Sequence, residues 1–104
     1  MIERIDIIEK LHEVNDPEIG MNIVDLGLIY NVLLQQNNDV TVQLSLTYPG
    51  CPLGPTIEED IRGKLSEIKK IGSIKIEIVW QPPWTQDMIE PEVLEELRFM
   101  GRIR

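Results

Sequence analysis

The residue of this chain best suited to metal or nucleophile chemistry is Cys51, the only cysteine among 104 residues. A thiolate is both a nucleophile and a soft metal ligand, and the amino end of a helix favours this charged form. Cys51 lies in the stretch YPGCPLGP, with Pro49 and Pro52 beside it, directly before an amphipathic segment. A buried cysteine that packs as a small apolar residue is the alternative. The proline-rich loop favours a functional thiol, because it holds Cys51 on a restricted turn.

Three acidic residues form a second group of candidates: Asp16, Glu18 and Asp25. Each carboxylate could orient a partner, bind a metal ion or accept hydrogen bonds from loop amides. A structural role competes with these functions. Asp16 before Pro17 is typical of a turn, and Asp25 could accept hydrogen bonds from backbone amides before Gly27.

Other polar and aromatic residues could support the thiol. The hydroxyl of Thr47 could donate a hydrogen bond to a thiolate. Trp84, between Pro83 and Thr85, could cover Cys51, receive a protein partner or pack in the core. Trp80 is predicted to pack at the end of the sheet. His12 lies far from Cys51 along the chain and is interpreted as a solvated helix residue.

A thiol enzyme is disfavoured, because a cysteine nucleophile needs a base close to it. The sequence places no such base near Cys51. It also contains no CxxC pair, no phosphate-binding loop and no histidine pair at metal-ligand spacing.

The apolar pattern predicts an α/β (α+β) fold with elements in the order α-β-β-α-β-α. The predicted helices cover 2–14 and 56–70, with a last short helix from Pro91, and the predicted strands cover 28–35, 40–47 and 73–79. In the first strand Leu28, Tyr30, Val32 and Leu34 alternate onto one face.

Turn and capping residues set the expected limits of these elements. Residues 15–22 are predicted to be a loop. Thr56 has capping-box spacing from Glu59 and is predicted to be the N-cap of its helix. Gly72 is predicted to end that helix.

The predicted topology brings three separate segments together. The first two strands form a hairpin, and the second and third run parallel because a helix connects them. The sheet is therefore three-stranded and mixed, with helices packed on it. The segments 15–27, 47–55 and 80–85 then meet at one edge, where α/β sheets commonly bind ligands.

The composition excludes several classes of protein. The formal charge of −8 and the absence of a basic stripe disfavour nucleic-acid binding. No apolar run is long enough for a membrane span or a signal peptide. One cysteine cannot form an internal disulfide, which agrees with a cytoplasmic protein. The length predicts a single domain over residues 1–104.

Four motifs in order resemble the PaaD/SufT-like family of small metal–sulfur cluster assembly domains. They are DPE at 16–18, DLGLIY at 25–30, TYPGCP at 47–52 and PPWT at 82–85. Each motif alone is weak, but four in order at suitable spacing across nearly the whole chain are specific. The family cysteine falls on Cys51, and the family acidic positions fall on Asp16, Glu18 and Asp25. Tyr48 departs from the small residue or threonine common in relatives, which puts access to the thiol in question.

The resemblance implies an accessory factor that helps iron–sulfur clusters reach client proteins. The partners implied are the iron–sulfur assembly machinery or apo-client proteins. The PaaD branch instead supports a ring-oxygenating complex. It commonly carries additional carboxy-terminal cysteines, and their absence here favours the SufT-like branch.

The number of thiols limits what one chain can hold. An iron–sulfur cluster usually takes four protein ligands, mostly cysteine thiolates, and Cys51 supplies one. A monomer is therefore not expected to bind a cluster stably. A transient cluster, or one shared across a homodimer or with a client, fits this count better. The competing hypothesis is a partner-binding component of an oxygenase complex without metal chemistry of its own.

Overall fold

The fold was established from a computed structural model, which describes residues 2–47 and 54–101. Its helices are α1 (Arg4–Leu11), α2 (Gly54–Leu65) and α3 (Pro91–Phe99), with a short 3₁₀ helix at Gln86–Met88. Its strands are β1 (Asn15–Asp16), β2 (Met21–Asn22), β3 (Ile29–Leu34), β4 (Val40–Leu44) and β5 (Ile74–Ile78). The predicted α/β fold class and the order of the main elements are confirmed.

The main sheet has the order β3-β4-β5 and is mixed, as predicted. β3 is antiparallel to β4, and β4 is parallel to β5. At one edge Ile29 pairs with Leu44, which in turn pairs with Ile78. The start of β3 therefore lies beside the ends of β4 and β5, which is the geometry that brings loops from distant parts of the chain together.

The hydrophobic core lies between the helices and one face of this sheet. α1 packs against α2 and β3, and α2 also packs against β5. β4, the central strand, is buried at alternate positions, because its side chains alternate between the face that packs against the helices and the open face. The side chains that fill this layer are Ile7, Leu11, Val40, Val42, Leu44, Ile57, Ile61 and Leu65. No helix among the described residues is long and apolar enough to cross a membrane.

A β-bulge interrupts the alternation predicted for β3. The register shifts between Ile29 and Asn31, so Tyr30 is the additional residue. Tyr30 therefore does not continue the inward row of Val32 and Leu34, and the prediction was wrong at this residue. A bulge changes the direction of a side chain, and the Tyr30 hydroxyl instead donates to Pro82 O at 2.8 Å.

The limits of α2 also differ from the prediction. The helix begins at Gly54, so Thr56 lies inside its first turn and is not the N-cap. It ends at Leu65 rather than near residue 70, and turns follow it. Lys70, not Gly72, adopts the left-handed conformation there, with φ of 68°. The apolar residue Ile68 continues the helical spacing but packs from a turn, which explains the longer prediction.

The segment predicted as a loop at 15–22 contains a small antiparallel ladder. Asn15 pairs with Asn22, and Asp16 pairs with Met21. Two-residue strands have no periodicity for a sequence pattern to reveal. The ladder closes a tight turn and fixes the chain between α1 and β3.

Gly27 joins the segment before β3 to the segment that contains the 3₁₀ helix. Its φ is 74°, a conformation that non-glycine residues rarely adopt. A Cβ at this position would lie 2.2 Å from Met88 O, a backbone atom. Both the backbone conformation and the close approach therefore require glycine.

We predict that Gly27→Ala lowers the free energy of unfolding by about 2–4 kcal/mol, because left-handed strain and overpacking add. Gly101→Ala is the matched control. Gly101 has a similar φ of 73°, but no atom lies within 4 Å of its Cβ position. Urea unfolding of both variants measures the difference. An equal loss in the two variants would contradict a role for the Met88 contact.

Asp39 fixes the opposite end of the sheet, where β5 begins. Its Oδ1 accepts a hydrogen bond from Ser73 N at 2.7 Å, and its Oδ2 accepts one from Asn37 Nδ2 at 2.8 Å. The Ser73 backbone N–H, followed by the side chains of Ser73 and Asn37, lowers the pKa of Asp39 below 3.8. The charged carboxylate therefore stabilises the folded state.

This contribution is present above the ordinary pKa of 3.8 and is lost as pH falls through the lower folded pKa. We predict that Asp39→Asn is less stable than the wild type at pH 7 and that the difference shrinks on acidification. Urea unfolding over a pH series tests this. Asp60→Asn, on the exposed face of α2, controls for the change in net charge. A difference between Asp39→Asn and wild type that stays constant with pH would contradict the prediction.

Candidate functional site

The candidate site lies at the edge of the sheet where β3 begins and β4 and β5 end. Ser45 N donates to Leu28 O at 2.8 Å, and Val79 N donates to Leu44 O at 2.8 Å. These bonds extend the pairing by one residue beyond the strands. The chain then leaves the sheet in three segments, which are 22–28, the stretch after Leu44, and 79–90.

Two of these segments are tied directly to each other. Trp84 Nε1 donates to Leu26 O at 2.7 Å, and Glu90 N donates to Asp25 O at 2.9 Å. Both bonds use backbone carbonyls, so they fix the path of the chain before β3. Together with the Gly27–Met88 approach, they make 22–28 and 82–90 one connected surface.

A depression of about 480 Å³ opens on this connected surface. Its lining is mostly apolar and comes from both segments and from the bulge of β3: Gly27, Ile29, Tyr30, Pro82 and Met88. The Tyr30 hydroxyl lies 3.4 Å from Met88 Sδ and donates a hydrogen bond to Pro82 O. These contacts hold three of the lining residues together. Such a shallow apolar surface is suited to contact with another protein.

The third segment contains Cys51, and only its two ends are described. Thr47 is half-buried and lies three residues beyond the end of β4, so the prediction that the strand continues to Thr47 was wrong. At the other end, a Cβ on buried Gly54 would lie 3.1 Å from Leu46 Cδ1, so the start of α2 packs closely on Leu46. Cys51 and Pro52 lie outside the described residues.

Asp16 is 2% exposed and acts within its own turn. Its Oδ1 accepts hydrogen bonds from Glu18 N at 2.8 Å and Ile19 N at 3.2 Å. Its backbone oxygen accepts a bond from Gly20 N at 2.7 Å. Asp16 therefore stabilises the turn that it begins.

Glu18 and Asp25 are placed differently. Glu18 is exposed on the turn that Asp16 holds. Asp25 is half-buried at the sheet edge, and its Oδ2 accepts a hydrogen bond from Asn22 Nδ2 at 2.9 Å. The sequence suggested that Asp25 accepts hydrogen bonds from backbone amides, whereas this carboxylate oxygen bonds to a side chain. Asn22 Oδ1 in turn accepts from Asp25 N at 2.9 Å.

His12 contacts Asp25, a pairing that the sequence did not predict. His12 Nε2 lies 3.5 Å from Asp25 Oδ1, and His12 Nδ1 lies 3.0 Å from Ile8 O. A carbonyl oxygen only accepts, so Nδ1 carries the proton, and only the imidazolium form can also donate to Asp25. The ring is still 45% exposed, but it is not merely solvated. The contact depends on the turn between α1 and β3, and no sequence motif marks it.

The two tryptophans have opposite surroundings. Trp84 is half-buried, packs against the core and donates its indole N–H, so it anchors the 79–90 segment. Trp80 is 41% exposed, and the prediction that it packs at the end of the sheet was wrong. β5 ends at Ile78, so Trp80 lies two residues beyond the end of the strand.

The described residues hold no group of three or more His, Cys, Asp or Glu side chains that could bind a metal ion. The paired Asp25 and His12 are only two such groups.

Comparison with known proteins finds relatives that are named for iron–sulfur protein maturation. The family model described as iron–sulfur cluster assembly protein matches residues 4–78. An Fe-S protein maturation auxiliary factor from Porphyromonas gingivalis is 43% identical, over 91% of this chain and 90% of that protein. The Fe-S protein maturation auxiliary factor SufT from Staphylococcus aureus is 46% identical, over 71% of this chain and 84% of that protein.

Two further relatives extend the comparison. A protein from Escherichia coli described as a 1,2-phenylacetyl-CoA epoxidase component is 34% identical over 88% of this chain, which covers 54% of that protein. A crystal structure of a domain of unknown function from Bacillus anthracis has a TM-score of 0.83 and 30% identity, covering 95% of this chain and 91% of that one. The resemblance to SufT-like and PaaD-like proteins is confirmed. The family model matches residues 4–78, and this chain covers 90% and 84% of the two maturation factors. This chain therefore belongs to the family of iron–sulfur cluster assembly proteins.

Proposed function

We propose that this protein is a non-enzymatic accessory factor that helps iron–sulfur clusters reach client proteins, using Cys51 at the sheet edge described above. The observation that carries the proposal is the parallel pairing of β4 with β5. It brings the end of β4, from which the chain continues toward Cys51, to the same side of the sheet as the connected surface of 22–28 and 82–90. The family membership supports the same role.

The cluster is cargo in this proposal and not a resident cofactor. One thiolate contributes one of the four ligands that a cluster usually needs. Cys51 therefore forms one bond to a cluster whose other ligands come from a donor or a client. A cluster held by few ligands from this chain is released easily, which is what transfer requires.

The other residues of the site position the thiol segment and its partners. Asp16 stabilises the 16–20 turn, on which Glu18 is exposed. Asp25 lies in the segment before β3, which hydrogen bonds from Glu90 N and Trp84 Nε1 to backbone carbonyls hold in place. Thr47 is the last described residue after β4, and its hydroxyl would donate a hydrogen bond to the thiolate. Pro52 would restrict the conformation of the chain next to Cys51.

A partner-binding role without metal chemistry is the second candidate. It is favoured by the apolar depression at Tyr30 and Met88 and by the similarity to the epoxidase component from E. coli. Anaerobic purification followed by iron and sulfide analysis separates the two roles, together with a pull-down that identifies the bound proteins. Recovery of iron–sulfur assembly proteins or apo-clients supports the first role, and recovery of an oxygenase complex without iron or sulfide supports the second.

We predict that Cys51→Ser leaves the free energy of unfolding within about 0.5 kcal/mol of wild type, because serine fits nearly the same volume as cysteine. Activation of an iron–sulfur client enzyme in cells should fall, because a serine hydroxyl is a poor ligand for iron in a cluster. Thermal unfolding of the purified variant and client activity in the same strain measure the two effects. Thr56→Ser, an equally conservative change on exposed α2 surface, is the control.

Two outcomes would contradict this assignment of Cys51. A loss of about 1–3 kcal/mol with unchanged client activity of the surviving protein would mean that the cysteine is a packing residue, because a buried hydroxyl needs a partner. Unchanged stability and unchanged client activity would remove the thiol from the function altogether.

The tryptophans provide a second test. We predict that Trp84→Phe lowers the free energy of unfolding by about 1–3 kcal/mol, because Leu26 O loses its indole donor and a half-buried ring shrinks. Client activation should fall with it, since the 22–28 and 79–90 segments lose one of the bonds that join them. Trp80→Phe, at an exposed ring, should change neither measurement. Urea unfolding followed by the remaining tryptophan's fluorescence reports both variants, and equal effects would contradict the anchoring role of Trp84.

A further inference from the structure

The outer edge of β5 presents unpaired backbone groups. Among the described residues β5 pairs with β4 alone, and Ser73 O and Val79 N both bond to β4. Backbone direction alternates along a strand, so the N–H and C=O groups of Ile74, Ile76 and Ile78 point away from the sheet. An exposed strand edge is a template for pairing with another strand.

One of these outward groups already has a partner. Arg62 Nη1 donates to Ile74 O at 2.7 Å from the exposed face of α2. A carbonyl oxygen has two lone pairs, so it can accept a second bond. The backbone groups of Ile76, at the centre of the strand, have no partner among the described residues.

The sequence of β5 is symmetric about Ile76. It reads Ile-Lys-Ile-Glu-Ile, with isoleucine at both ends and oppositely charged residues on either side of the centre. In an antiparallel pair of two β5 strands centred on Ile76, Ile74 of one copy faces Ile78 of the other. Lys75 then faces Glu77 of the second copy, and the same contact is repeated by the two-fold axis.

The two faces of such a pair are compatible with the structure. Ile74, Ile76 and Ile78 are half-buried on the helix side and pack against the core, so pairing would cover more of them. On the open side, Lys75 Nζ lies 3.4 Å from Glu77 Oε2, with 70% and 35% of the two side chains exposed. Opposite charges directly across from each other stabilise a strand pair.

We propose that two copies of this chain form a symmetric dimer through antiparallel pairing of their β5 edges, centred on Ile76. The result is one continuous six-stranded sheet. Lys75 of one copy lies opposite Glu77 of the other. The two residues form a non-hydrogen-bonded pair, in which cross-strand side chains are closest. The connected surface of 22–28 and 82–90 is not used in this pairing, so the dimer does not depend on the proposed thiol chemistry.

Sedimentation equilibrium of the full chain tests the proposal, with reductant present so that Cys51 cannot cross-link copies. One short strand pair buries a small interface and gives weak association. We expect the chain to populate both monomer and dimer at protein concentrations of up to about 1 mM. A chain that stays monomeric throughout this range would overturn the proposal.

Charge variants test the register. Lys75→Glu and Glu77→Lys each place like charges opposite each other twice, and each should weaken self-association by about tenfold or more. An equimolar mixture of the two variants restores opposite charges, as does the double variant K75E/E77K. Both should dimerise like wild type. Thermal unfolding controls for the lost Gln43–Glu77 hydrogen bond of 3.0 Å. Single variants that dimerise as strongly as wild type, or a mixture without rescue, would show that this pairing is wrong.

Discussion

The parallel pairing of β4 with β5 is the constraint on which the rest of this structure depends. Because a parallel connection must return to the end of the sheet where it began, α2 has to cross the sheet between the two strands. That crossing supplies Ile57, Ile61 and Leu65 to the core. It also fixes the ends of β4 and β5 at one edge, while the β3–β4 hairpin brings the start of β3 there. Core and site therefore follow from one pairing.

Sequence patterns predicted the features that depend on periodicity and strand order. The three main strands, the mixed sheet and the converging edge all follow from alternation at 28–35, 40–47 and 73–79. The bulge at Tyr30 and the ladder at Asn15–Asp16 could not be predicted, since each involves one or two residues. The end of α2 was misplaced because Ile68 keeps helical spacing after the helix has ended. Periodicity reports which residues face the core, not which backbone conformation brings them there.

The candidate acids show the same limit at the level of single side chains. Asp16 and Asp25 are both acidic residues in turns before β3, and the sequence alone does not distinguish their roles. In the structure Asp16 bonds to two backbone amides of its own turn, whereas Asp25 bonds to Asn22 and faces His12 from α1. A local turn is foreseeable from Asp-Pro, since the partners are within three residues. The contact with His12 spans 13 positions and depends on how α1 packs.

A single soft ligand is consistent with the proposed role in cluster transfer. A protein that keeps a cluster needs several thiolates on a rigid frame, but a protein that delivers one is hindered by every ligand that it retains. In the proposed function, the one cysteine of the chain and the connected surface of 22–28 and 82–90 have separate tasks. The thiol would supply a brief bond to iron, and the apolar surface at Tyr30 and Met88 would supply the affinity for a partner. Specificity then resides in the protein contact, where it can be strong without slowing release of the cluster.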